Sequence, residues 1–236
     1  MLPLKDDVPN QNFPLITVLL IAANVAAFLY QASLEAGTGG TGRAATAFVM
    51  EFGAVPCRLT GRCFADDSAA PIVTVFTSMF LHGGLFHIAG NMLYLWIFGD
   101  NVEDTLGHLR FLALYLLSGV GAAGAQTLMS PASHVPMIGA SGAISGVLGA
   151  YLFLFPHASV LTLITFGFFI RFVQVPAVIV LGFWIVVQVL SGLLSYGAAT
   201  KGAADGGGVA WFAHIGGFVA GLMLLFLFRP RATRRL

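Results

Sequence analysis

Residues 211–228 read WFAHIGGFVAGLMLLFLF, a run with no charged side chain. A helix needs about 20 mostly apolar residues to cross the hydrocarbon core of a bilayer, and this run supplies nearly that many. His214, Gly217 and Gly221 recur at spacings of three and four, so they share one helical stripe. An imidazole and two residues without bulk therefore face the same neighbour. Working outward, five more runs have the same apolar character: 13–30, 85–99, 111–129, 139–155 and 175–194. The chain reads as an all-α polytopic membrane protein, a single membrane domain over residues 1–236 with six spans.

Composition agrees. The chain is 58% hydrophobic and 9% charged, whereas soluble domains carry about 25% charged residues. A formal net charge of +1 excludes nucleic-acid binding through a basic surface, and disorder would need low hydrophobicity. Two stretches resist simple assignment. The apolar run 71–98 is interrupted by His82-Gly83-Gly84, which places the start of the second span near Leu85. The Phe-rich stretch 160–172 is broken by Arg171 and reads as an interfacial or re-entrant segment, or as an extension of the fourth span.

An even number of spans puts both ends of the chain on one side. Lys5, Arg110, Arg171, Arg229, Arg231, Arg234 and Arg235 share that side, against Arg43, Arg58, Arg62 and Lys201. The basic excess predicts that both termini are cytoplasmic, with residues 31–71 as an external loop. Lys5-Asp6-Asp7 is a poor leader for a cleaved signal peptide, so the first span reads as a retained anchor. The expected location is a bacterial inner membrane. Cys57 and Cys63 lie in that loop, in CRLTGRC, where an oxidising compartment permits a disulfide. Two free thiols is the other reading. A zinc site would want four ligands, and no second ligand pair lies nearby, so no metal is expected.

Ionisable and polar groups in lipid usually mark function. His82, His87 and Asn91 open the second span in HGGLFHIAGN, Ser141 opens the fourth in GASG, and His214 opens the sixth. These three helices enter from the same side, so their first turns share one leaflet and can converge. A serine hydroxyl becomes a nucleophile when a base removes its proton, and imidazole is the usual base. The oxyanion formed by attack on a carbonyl needs fixed donors, which Asn91, His87 and the Ser141 backbone N–H can supply. Such a set suits acyl transfer, most simply peptide hydrolysis. The acidic residues skip from Asp104 to Asp205, so the chemistry would rest on a Ser–His dyad without a carboxylate. Gly139, Gly142, Gly146 and Gly149 recur along the fourth span, and with Gly217 and Gly221 they allow close backbone packing.

At these residues the chain resembles the rhomboid family of intramembrane serine proteases, over roughly residues 72 to 228. GASG at 139–142 resembles the family's nucleophile motif, and Ala213-His214 with Gly217 and Gly221 resembles its AHxxGxxxG motif. His82, His87 and Asn91 fit HxxxxHxxxN, and Gly99, Glu103 and Gly107 fit GxxxExxxG. Val73-Thr74 departs from the Trp-Arg pair that some bacterial members carry in the first loop. The resemblance implies Ser141 as nucleophile, His214 as base, His87 and Asn91 in the oxyanion hole, and no cofactor. It implies substrates that are themselves membrane proteins, cut in or near a helix-destabilised transmembrane segment. It further implies lateral access past the fifth span, with Ser195–Ala210 as a cap. Two other classes compete: a small transporter, and a catalytically silent rhomboid-like binder of transmembrane segments. The chain shows no internal repeat, and its polar residues sit at helix starts rather than centres, unlike the sites of many transporters.

Overall fold

A computed structural model of the chain describes residues 2–37, 42–63, 69–166, 169–199 and 209–229. Lys201, Asp205, Arg231, Arg234 and Arg235, most of the segment 195–210 expected as a cap, and part of the GTGGTG stretch lie outside the described residues. Strand β1 (Leu2–Asp6) leads into helix α1 (Leu15–Gly37), followed by the short helices α2 (Arg43–Phe52), α3 (Pro56–Leu59) and α4 (Pro71–Thr77). The long helices α5 (Leu85–Leu106) and α6 (His108–Met129) come next, then α7 (Ser141–Leu154). Strands β2 (Ser159–Phe166) and β3 (Phe169–Pro176) separate α7 from α8 (Ala177–Ala199), and α9 (Trp211–Phe228) completes the bundle.

Helices α1, α6, α8 and α9 are each long and apolar enough to cross a membrane alone. The α4 segment and α5, bent by 84° across Leu81–Gly84, together make a fifth candidate, while α7 has only 14 residues. The break falls at His82-Gly83-Gly84, where the apolar run is interrupted in the sequence. The chain is thus a polytopic membrane helical bundle.

Backbone proximity organises its centre. A Cβ added at Gly217 would lie 2.0 Å from the Gly142 carbonyl oxygen, and one at Gly221 would lie 2.1 Å from that of Gly146. On α9's other side, a Cβ at Gly216 would meet Ala125 Cβ at 2.2 Å. Helix α9 is therefore wedged between α6 and α7 at distances only small residues permit. Gly139 departs from the expected glycine stripe: α7 starts at Ser141, so Gly139 lies in the preceding turn with φ +118°. A side chain there would strain the backbone and approach His87 Nε2 to 2.7 Å.

Residues 159–176 correct the sequence expectation. They form an antiparallel hairpin, neither an interfacial helix nor an extension of α7, and β1 pairs with β2 to give the order β1-β2-β3. The β-branched and aromatic content of SVLTLITF and FIRFVQVP favours strands, and Val160 and Thr162 turn inward on alternate positions. The stretch 31–71 is likewise more structured than a loop, since it contains the end of α1 and all of α2 and α3.

Polar side chains fasten the opposite end. The buried Glu103 carboxylate accepts the N–H groups of Ile16 and Thr17, both at 2.8 Å, and so satisfies donors that the first turn of α1 leaves open. Asp104 accepts the N–H groups of Gln11 and Asn12 at 3.0 Å.

Candidate active site

Ser141 is the first residue of α7, and His214 lies one turn into α9. The Gly142–Gly217 approach draws these helix starts together, leaving His214 Nε2 2.8 Å from Ser141 Oγ. That is hydrogen-bond distance for proton transfer between hydroxyl and imidazole. Two further bonds hold the helix starts in place. Gly139 N–H donates to the Ser78 carbonyl at 2.8 Å, and Ala213 N–H donates to Gln126 Oε1 at 3.3 Å.

From α5, His87 and Asn91 face the same space. Gly83 N–H donates to His87 Nδ1 at 3.2 Å, which leaves the ring proton on Nε2 and makes that nitrogen a donor. The buried Asn91 Nδ2 has no hydrogen-bond partner among the described residues. A Cβ at Gly139 would lie 3.6 Å from this nitrogen, so the turn before Ser141 passes directly beside it. His82 does not join them. It is fully buried behind His87, its ring stacked edge-on at a centroid distance of 5.0 Å, while its backbone is bracketed by Gln31.

Ser141, His214, His87 and Asn91 all line one cavity of about 1170 Å³, bounded also by Trp184 and Met137. A hydroxyl, a base and two candidate N–H donors thus meet in a space large enough for a peptide segment.

A polar residue absent from the sequence reading completes the group. Gln188, on α8, places Oε1 2.7 Å from His214 Nδ1, and the Trp184 ring lies 5.8 Å from the imidazole centroid. The available signal was the lone amide side chain in an apolar span. Gln188 sits in the middle of its helix, away from the helix starts where the other polar candidates lie.

The cysteines lie away from this centre. Cys57 and Cys63 form a disulfide at the edge of α3, with His134 Nδ1 3.5 Å from Cys57 Sγ. These three residues are close enough together to hold a metal, but the disulfide bond occupies both sulfurs.

The architecture defines a class: a polytopic membrane protein with a paired serine and histidine opening onto a cavity at the starts of its helices. The family model for the Rhomboid domain matches residues 70–231, so the chain belongs to the rhomboid family. It is 34% identical over 159 residues to RHOMBOID-like protein 1 of Arabidopsis thaliana, covering 66% of this chain and 35% of that protein. It is 37% identical over 141 residues to Rhomboid protease GluP of Bacillus subtilis, covering 60% and 25% respectively. Rhomboid protein 1, mitochondrial, of Saccharomyces cerevisiae is 38% identical over 100 residues, 40% of this chain and 29% of the relative. The chain thus spans about a third or less of the length of these relatives.

Proposed function

We propose that the protein is an intramembrane serine endopeptidase that cuts other membrane proteins in or near a transmembrane segment. The observation that carries this reading is the 2.8 Å contact between Ser141 Oγ and His214 Nε2 at the wall of the cavity. Family membership adds weight, since the relatives include a protein named as a rhomboid protease.

Ser141 Oγ attacks the scissile carbonyl while His214 Nε2 takes its proton. His87 Nε2–H, Asn91 Nδ2–H and the Ser141 backbone N–H steady the oxyanion, and His214 returns the proton to the departing amine. Water then hydrolyses the acyl-enzyme through the same base. Helical backbone bonds shield a peptide from attack, so a substrate must unwind locally, and segments carrying Gly or Pro do so at least cost. In this reading the chain spans the membrane six times, with α7 as the short fourth span and both termini cytoplasmic. A bacterial inner membrane is the proposed location.

Covalent labelling with a fluorophosphonate tests the proposal. The wild-type protein should label at Ser141, with no labelling in Ser141→Ala and a loss in His214→Ala. Equal labelling of wild type and Ser141→Ala would end it. Mass-spectrometric mapping of cuts in a panel of single-span proteins would then define the substrate preference.

A further inference from the structure

The base in this site has two ring nitrogens, and only one of its neutral tautomers can act. To take the proton from Ser141 Oγ, Nε2 must present a lone pair, so the ring proton must reside on Nδ1. In a triad a carboxylate holds that proton. Here the sequence has no acidic residue between Asp104 and Asp205.

The geometry around Gln188 supplies another acceptor. Gln188 is 6% exposed and lies on α8, at the Nδ1 edge of the His214 ring. Its Nε2 donates to the Trp184 carbonyl one turn earlier at 3.3 Å. A carbonyl oxygen only accepts, so this bond fixes which end of the amide is nitrogen and turns Oε1 toward the imidazole. Oε1 likewise only accepts. The 2.7 Å contact to His214 Nδ1 therefore requires the proton on Nδ1, which frees Nε2 for the serine. The same bond persists when His214 becomes an imidazolium, whose Nδ1–H then donates to the amide dipole.

We infer that Gln188 is a positioning residue, selecting the His214 tautomer that can deprotonate Ser141 and holding the ring on axis through the reaction. The inference rests on the protease reading, because a tautomer preference matters only if Ser141 is to lose a proton. Helix α8 thus contributes to the chemistry as well as to the cavity wall.

Saturation kinetics of fluorophosphonate labelling, on purified full-length protein in detergent micelles, separates this role from simple helix packing. In Gln188→Leu the maximal labelling rate should fall about 10- to 100-fold, as expected for a charged donor stripped of its acceptor. The half-saturating probe concentration should stay at the wild-type value. Gln188→Glu keeps an acceptor at the same reach and should restore the rate to within about threefold of wild type. Nitrogen NMR of histidine-labelled wild-type protein reads the tautomer without any variant: His214 should carry its proton on Nδ1. A wild-type maximal rate in Gln188→Leu, or a His214 proton on Nε2 in the wild type, overturns the inference while leaving the protease reading intact. Wild-type protein that fails to label at all overturns the protease reading and takes this inference with it.

Discussion

Asn91 presents a buried amide nitrogen without a partner among the described residues, a state that costs about 1–3 kcal/mol where a donor is left unsatisfied. In the proposed reaction an oxyanion forming beside Ser141 would satisfy it, and the penalty borne by the resting protein would become differential stabilisation of the transition state. Replacing the amide by an apolar side chain of similar volume removes both effects. Asn91→Leu should lower turnover by about 10²–10³, the usual loss for one oxyanion donor. It should leave the thermal unfolding midpoint in detergent unchanged or raised, and a drop in that midpoint with normal turnover would contradict the assigned role. At this scale the sequence was informative about groups that carry protons. Ser141, His214, His87 and Asn91 stand out because hydroxyls, imidazoles and amides are rare at the starts of apolar runs. Gln188 does not stand out, because its meaning depends on a ring 26 positions away that only tertiary packing brings to 2.7 Å.

Helices α7 and α9 meet backbone to backbone, and that contact sets the distance between serine and histidine. A Cβ at Gly221 would sit 2.1 Å from the Gly146 carbonyl oxygen, so Gly221→Val must push the helices apart. Overpacking of this kind costs about 1–3 kcal/mol. The variant should show a lower unfolding midpoint and a loss of Ser141 labelling together. Gly182, on α8, has nothing within 4 Å of an added Cβ. Gly182→Ala should therefore be neutral or stabilising by up to about 1 kcal/mol, since alanine is the better helix former, and a matched drop in both variants would refute the close-packing account. The long helices were legible because charge-free runs of this length leave few alternatives in lipid, whereas the short α2 and α3 fell inside the expected external loop. The hairpin β2–β3 was not. Its hydropathy resembled that of an interfacial helix, its strand period was masked by phenylalanines, and its partner β1 comes from residues 2–6, far away in the chain.

Across the whole molecule, the end of the bundle that carries Ser141 and His214 and its opposite end are held by different means. At the first, glycine contacts bring the starts of α7 and α9 together; at the second, acidic side chains tie the N-terminal segment to α5, α7 and β2. Tyr151 donates its hydroxyl to Asp6 Oδ2, and Ser159 N–H donates to Asp7 Oδ1 at 2.8 Å. The convergence of α5, α7 and α9 was inferable from the direction of entry that six spans would give them, whereas this second anchorage needed the β1–β2 pairing that places Asp6 over α7. Burial raises the Asp6 carboxyl to about 6 from its ordinary 3.8; the Tyr151 hydrogen bond opposes that rise, and the charges of Asp100 and Asp7 add to it. A folded-state value above the unfolded one means that the folded protein binds the proton more tightly. The associated stability is fully present below about pH 3.8 and is lost as pH rises through about 6. Between pH 4.5 and pH 7.5 the wild-type unfolding midpoint should therefore fall by more than that of Asp6→Asn, whose amide is neutral throughout. If the two proteins shift in parallel over that range, the Asp6 carboxyl is not the group that makes the attachment of β1 sensitive to pH.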